Sequence, residues 1–332
     1  MDTYMALRGV CRSWRNATAG PAVDGTMVDG ATDPLFMLSK WAMVTQSLRA
    51  DAGVTLVNLS TGRFLSKRIP LLLRYFFLGA TGGGLLVLGE REPPHLMRVF
   101  NPLTGAMARF NLPVVRSEVA AVAVTPSPLM VFISVRHEDA INMTPFDGNV
   151  HLTNWGSIIS TFQRVVVDGA GTTRSAQTIG IATTIPPLSS AGTSLFYLVE
   201  SAGELLLVTK KWSFVPHLVY KVDMVKKAFE PVRSIGNRAL FVSSGRCFSV
   251  DADKFPGVEP DRIYSVELSL TGAPGFDSYK VTKVHVAGGG PAETIEDENV
   301  LLRRGCFQPA RLVQVFAEYC KFVGYPGLGL AL

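Results

Sequence analysis

Charge is scarce in this chain. Only 18% of its 332 residues are Asp, Glu, Lys or Arg, against ~25% in an ordinary soluble protein. Apolar residues reach 47%, which excludes a disordered chain. Basic residues exceed acidic ones by +5, without a dense basic block. A nucleic-acid interface needs Lys and Arg gathered on one face, so no nucleic-acid partner is expected. Cysteine is scarce too. Cys11, Cys247, Cys306 and Cys320 form no Cys-x-x-Cys pair, so a zinc knuckle and a disulfide framework are excluded and reduced thiols are expected. The first 30 residues lack the apolar core of roughly 7–15 residues that a secretion signal carries. The expected location is therefore cytoplasm or nucleus, and the Asn-x-Ser/Thr triplets at Asn16, Asn58 and Asn142 are chance matches.

Long hydrophobic runs are missing with one exception. Ile69 to Gly89 imitates a membrane span in length, but Arg74, Gly79 and Gly82-Gly83-Gly84 interrupt it. Two buried strands, Leu71–Leu78 and Leu85–Leu88, joined by a glycine turn, are expected instead, and no membrane partner.

Catalytic signatures are lacking as well. There is no GxxxxGK[ST], no HExxH and no GxSxG. No helical pattern follows the glycine-rich Gly79–Gly84 run, so nothing offers a positive helix N-terminus to a phosphate. Asp251-Ala252-Asp253 opens like a calcium loop, but Phe255 and Pro256 occupy the positions where an oxygen ligand and a glycine belong. It reads as a solvated turn. The five histidines, His95, His137, His151, His217 and His285, are scattered singly. His137-Glu138-Asp139 is the densest ionisable cluster, yet neighbours on a strand point to opposite faces, whereas acid–base chemistry needs convergence on one pocket. No catalytic, cofactor-binding or metal-binding residue is expected, and the chain is taken not to be an enzyme.

What is present is a chain of short β-type runs and turns. Phe196–Glu200 with Leu205–Thr209, Arg238–Val242 with Cys247–Val250, and Val119–Val124 with Leu129–Val135 each flank a Gly, Pro or Ser turn. Such pairs predict β-hairpins in an antiparallel meander. A repeat organises them. Asn58-Leu59-Ser60-Thr61-Gly62 leads to Pro70, and Asn101-Pro102-Leu103-Thr104-Gly105 leads to Pro113. Both copies spell Asn-x-x-Thr-Gly-x7-Pro, with the asparagines 43 residues apart. An echo follows at Asp223-Met224-Val225-Lys226. Asn or Asp can bond its side chain back onto the backbone to start a turn, and Gly supplies the positive φ that closes it. A period of ~40–50 residues with several strands per unit marks a β-propeller. The fold class expected is therefore all-β, a β-propeller of about six or seven four-stranded blades over 30–305.

The two ends differ from this pattern. Leu7, Val10, Cys11 and Trp14 fall at helical spacing within 1–20, before Gly20-Pro21. Pro309, Leu312, Val315, Phe316, Tyr319 and Phe322 do so within 306–332, which predicts a C-terminal helix and tail. Among loop residues, Trp155, Trp212 and Arg246 are candidates for binding a partner, since Trp and Arg are frequent interface anchors. Core packing is the alternative for each tryptophan.

Three passages resemble one family. Val10-Cys11-Arg12-Ser13-Trp14-Arg15 looks like the closing helix of an F-box. Tyr197–Val208, reading YLVESAGELLLV, and the passage from Val219-Tyr220-Lys221-Val222-Asp223 through Ser234–Val242, Phe248–Val250 and Phe255–Val258 to Arg262-Ile263-Tyr264 are similar to plant F-box proteins with a KIB-type β-propeller. The resemblance implies the substrate-recognition subunit of an SCF-type E3 ubiquitin ligase. Its F-box would dock on a Skp-type adaptor and its propeller would present an unknown target protein. Met1 stands only nine residues before Val10, so residues 1–20 are an F-box remnant without the first two helices and their Leu-Pro signature. Leu7, Val10, Cys11 and Trp14 would then offer part of the adaptor surface, and adaptor binding is expected to be weak or lost. The alternative is an orphan propeller binding a protein or small ligand with no ubiquitin role.

Overall fold

The computed structural model describes Ser13 and residues 41–43, 53–81, 84–126, 129–135, 140–154, 159–163, 177–179, 194–211, 217–243, 246–269, 278–287 and 292–297. The runs of Val, Leu, Ile and Phe between Gly, Pro and Asx turns fold as strands because branched and aromatic side chains fit a pleated, half-buried surface. The first sheet holds β1 (Trp41–Met43), β2 (Gly53–Asn58) and β3 (Phe64–Arg68). The second holds β4 (Tyr75–Ala80), β5 (Leu86–Glu90), β6 (Leu96–Phe100) and β7 (Met107–Pro113). A two-stranded sheet of β8 (Val119–Pro126) and β9 (Leu129–Val135) follows. The fourth contains β10 (Ala140–Phe146), β11 (Asn149–Asn154), β12 (Ile159–Gln163) and β13 (Gln177–Ile179). The fifth contains β14 (Ser194–Ser201), β15 (Glu204–Lys211), β16 (Leu218–Asp223) and β17 (Ala228–Val232). The sixth contains β18 (Arg238–Val242), β19 (Phe248–Asp251), β20 (Arg262–Ser269), β21 (Ser278–His285) and β22 (Glu293–Asp297).

Each sheet buries one side against the next, and the contacts return to their start. Val87 and Val99 of the second sheet pack with Val119 and Val131 of the third. Phe132 of the third meets Met143 and Val150 of the fourth. Phe146 of the fourth lies against Leu198 and Leu207 of the fifth, and Tyr197 and Val208 of the fifth against Leu240 and Ile263 of the sixth. The largest cluster then joins Phe241, Phe255 and Tyr264 of the sixth to Met43 and Leu56 of the first and Phe77 of the second. In that seam Tyr264 and Phe248 stack on either partner side of Phe241, with ring centroids 4.6 and 5.1 Å away. Sheets arranged this way around one axis make a β-propeller.

The repeated turn works as its residues require. Asn58 Oδ1 accepts the N–H groups of Ser60 (2.9 Å) and Thr61 (3.1 Å). Asn101 Oδ1 accepts those of Leu103 (2.9 Å) and Thr104 (3.3 Å). Gly62 and Gly105 then donate their N–H to the asparagine carbonyls and stand at φ +71° and +79°. The echo is a true third copy. Asp223 Oδ1 accepts from Val225 and Lys226, and Lys227 holds the left-handed position at φ +53°. Both motif prolines stand where a strand gives out: Pro70 begins a 3-10 turn and Pro113 ends β7, since proline has no N–H for the ladder.

Three expectations need correction or refinement. The hairpins at 119–135, 194–211 and 238–251 form as antiparallel pairs, but the meander breaks in the sixth sheet, where β20 runs parallel to β18. Residues 252–261 stay at one end of that sheet. Ala252 N–H bonds the Asn237 carbonyl and Asp261 N–H the Arg238 carbonyl, so β20 starts beside the start of β18. Leu71–Leu78 is not one buried strand. Pro70 opens a 3-10 turn over Pro70–Arg74, whose threefold period turns only Leu72 inward, at 0% exposure. Asp251 caps another such turn, accepting from the N–H of Asp253, as the solvated-turn reading of Asp251–Asp253 requires. No helix among the described residues is long and apolar enough to cross a membrane.

Candidate functional site

Five edge strands, β4, β8, β10, β14 and β19, come alongside one another in turn and define the hub of the wheel. Arg246 is held there by Ser243. Its N–H donates to Ser243 Oγ (3.2 Å), and Ser243 Oγ donates to the Arg246 carbonyl (3.3 Å). The side chain reaches from the sixth sheet across to the second, where the guanidinium carbon stands 5.2 Å from the centre of the Phe77 ring. A face-on guanidinium is attracted by the ring's negative face. Beside it, Gly79 makes room for Val122 of β8, which a Cβ there would overlap, while the Arg246 guanidinium would stand at an ordinary contact distance of 3.7 Å.

Beside Arg246, the buried Asn142 of β10 ties three sheets together. Its Oδ1 accepts the Leu198 N–H (3.0 Å) and the Thr144 hydroxyl (3.2 Å), and its Nδ2 donates to Cys247 Sγ (3.4 Å). Cys247 in turn donates to the Ser243 carbonyl. Burial pushes the Cys247 thiol up to about 12, so at neutral pH it is a packed thiol and not a nucleophile. Thr144 and Thr153 donate to the carbonyls of Leu198 and Phe196, each at 2.8 Å. Ser201 and Ser249 share a 2.8 Å bond on the far side of β14, and Arg238 Nε donates to Ser249. Burial, opposed by the Phe146 backbone and the charge of Asp147, pulls His151 below its usual value; it is a neutral ring beside Phe146.

Of the sequence candidates, the structure brings Arg246 to the hub. Trp155 and Trp212, the adaptor residues Leu7, Val10, Cys11 and Trp14, the His137–Asp139 cluster and the C-terminal helix lie outside the described residues. Among the described residues no group of His, Cys, Asp and Glu could hold a metal ion. In the sequence, Asn142 stands out only as an Asn-x-Ser/Thr triplet. At 1% exposure its amide is committed inside the fold. The alternation around Asn142-Met143-Thr144, two polar side chains on one face of a strand, was the available signal.

Residues 56–296 match the family model described as KIB1-4 beta-propeller. No curated protein matches the chain. Among solved structures, it is similar to the dihydro-heme d1 dehydrogenase NirN in complex with DHE, at 9% identity and a TM-score of 0.27, covering 75% of this chain and 51% of that one. It is also similar to a putative phosphatase from Bacteroides thetaiotaomicron VPI-5482, at 9% identity and a TM-score of 0.27, covering 77% and 58%. The chain thus spans between half and three-fifths of the length of these two proteins, and their activities remain theirs.

Proposed function

From the premise that this chain belongs to the KIB1-4 β-propeller family, we propose that it is a non-catalytic protein-binding module, the substrate-recognition subunit of an SCF-type ubiquitin ligase. The observation that carries this is family membership through the propeller itself. A closed ring of sheets holds its connections rigidly, and loops on a rigid scaffold are where binding residues concentrate. The F-box-like ending Val10–Arg15 supplies the ligase half of the proposal, with Leu7, Val10, Cys11 and Trp14 on the adaptor side. Trp155, Trp212 and Arg246 are proposed to meet the target. Arg246 supports that role as a guanidinium held at the hub over Phe77, where a target group entering along the axis would meet it. The protein would act in the cytoplasm or nucleus, and the catalytic subunits of the same ligase would modify the target it holds.

Titration calorimetry of the full chain against a Skp-type adaptor tests the ligase half. Binding that Trp14→Ala abolishes supports it. Absence of binding, with cellular proteins still cross-linking to the propeller loops, would leave a binding module with no ubiquitin role.

A further inference from the structure

Five large apolar side chains stand exposed among the described residues, and three of them, Leu71 (38%), Leu73 (44%) and Val115 (48%), fall at one end of the second sheet. They lie on two connections that each lead from one sheet into the next: the 3-10 turn Pro70–Arg74 before β4, and the segment ending in the 3-10 turn Arg116–Glu118 before β8. The loop between β5 and β6 joins them. Arg91 N–H bonds the Arg74 carbonyl (3.0 Å), Arg91 Nε bonds the Tyr75 carbonyl (3.2 Å), and Val114 N–H bonds the His95 carbonyl (3.1 Å). Three segments are thereby stitched into one surface.

The same segments carry exposed Arg74, Arg91 and Arg116. Glu92 and Glu118 stand on them too, but among the described residues no carboxylate pairs with any of the three arginines. Partial desolvation and then the positive charge of Arg91 pull Arg116 below its ordinary value. An anion placed between the two guanidinium groups would relieve that repulsion. Arg98 and Arg262, by contrast, are paired inside the fold, with Glu90 and Glu259.

We propose that this end of the second sheet, with Leu71, Leu73 and Val115 beside Arg74, Arg91 and Arg116, docks a linear segment of a partner protein in which Asp or Glu alternates with large apolar residues. Charge complementarity selects the partner: guanidinium groups bind carboxylates through paired N–H donors, and the exposed leucines and valine bury the apolar side chains between them. A nucleic acid would leave the leucines unburied, and three arginines make a short footprint for it. This rests on the protein-binding function proposed above and specifies where and what it binds.

The test is an array of random twelve-residue peptides incubated with the purified full-length chain, followed by fluorescence anisotropy on the selected peptides. Enrichment of Asp and Glu beside Leu, Ile or Phe is expected. Arg91→Glu with Arg116→Glu should weaken the selected peptides at least about tenfold, as loss of interface anchors does, and Leu71→Ser with Leu73→Ser similarly. Both variants replace exposed side chains, and an unchanged urea midpoint shows that they fold. Selected peptides that bind these variants as tightly as the parent would overturn the docking site while leaving a protein-binding module elsewhere on the propeller. Basic or purely apolar selections, no selection at all, or tighter binding to phosphatidylserine vesicles or duplex DNA would overturn it as well.

Discussion

Replacing Gly62 by alanine tests the seam that closes the ring, and Gly105→Ala supplies the internal control. The two glycines occupy the same place in two copies of one turn, at φ +71° and +79°. Alanine in that left-handed region costs ~1–2 kcal/mol, partly offset by ~0.4–1 kcal/mol from restricting the unfolded chain. The shared penalty is therefore about 1 kcal/mol. The surroundings differ. A Cβ on Gly105 meets nothing within 4 Å, whereas one on Gly62 lands 2.5 Å from the Lys254 carbonyl oxygen. That oxygen belongs to the 3-10 turn Ala252–Lys254 of the sixth sheet, so backbone must yield against backbone at the junction of the first and last sheets. Relief of overpacking of this kind costs ~1–3 kcal/mol, giving about 2–4 kcal/mol at Gly62 against about 1 at Gly105. In urea, with a slope of ~3 kcal/mol/M, the extra ~1–3 kcal/mol should put the Gly62→Ala midpoint about 0.3–1 M below that of Gly105→Ala. Peptide-resolved hydrogen exchange should quicken in β2 and β19 of Gly62→Ala alone. Equal midpoints with unchanged exchange at both strands would refute the idea that this turn is wedged against the closing seam.

The third copy of the turn predicts the opposite sign: Lys227→Gly relieves a side chain at φ +53° and should raise stability by about 0.5–1 kcal/mol in the same urea titration. At the hub, Asn142→Ala leaves the buried Leu198 N–H without its acceptor and should cost about 2–4 kcal/mol, against about 1 for Thr153→Val, in paired thermal melts. Acid sensitivity is expected at Glu259, whose carboxyl is held below 4.5 by hydrogen bonds from Lys283 and then Arg262. A depressed carboxylate stabilises the fold above its unfolded pKa and loses that contribution as pH falls through the folded value. Glu259→Gln should therefore lower stability at pH 7 by less than ~1 kcal/mol, because the carboxylate is half exposed, and the gap to the parent protein should narrow and close as pH falls below the ordinary carboxylate range and through the depressed folded value. A gap that stays constant from pH 7 to 3 would show that the ion pairs contribute nothing.

Turns and hairpins were legible in the sequence because they are made by residues a few positions apart. Asn58 and Asn101 each bond N–H groups two and three residues on. The spacing of Tyr197–Val208 around Ala202-Gly203 likewise fixes a register in which Ser201 faces Glu204. Leu71 and Leu73 misled for a related reason. Hydropathy marks apolar residues, but it was Pro70 at the head of a 3-10 turn that turned them outward. The candidate site was only partly legible: Arg246 was singled out, while Asn142 and Gly79 were not, because nothing local distinguishes an asparagine that bridges sheets from one that starts a turn.

By itself, then, the amino-acid order determined an all-β chain, its turn chemistry and a stride that makes a wheel, since strand alternation and Asx-Gly turns are decided by neighbours. Only the tertiary structure decided that β20 lies parallel to β18, that Lys254 presses on Gly62, that Arg246 crosses to Phe77, and that three arginines with no carboxylate partner among the described residues gather beside exposed leucines. Each of these depends on segments remote in the chain meeting in space. Their meeting is set by how the sheets bury their faces against one another around the ring, which no local pattern encodes.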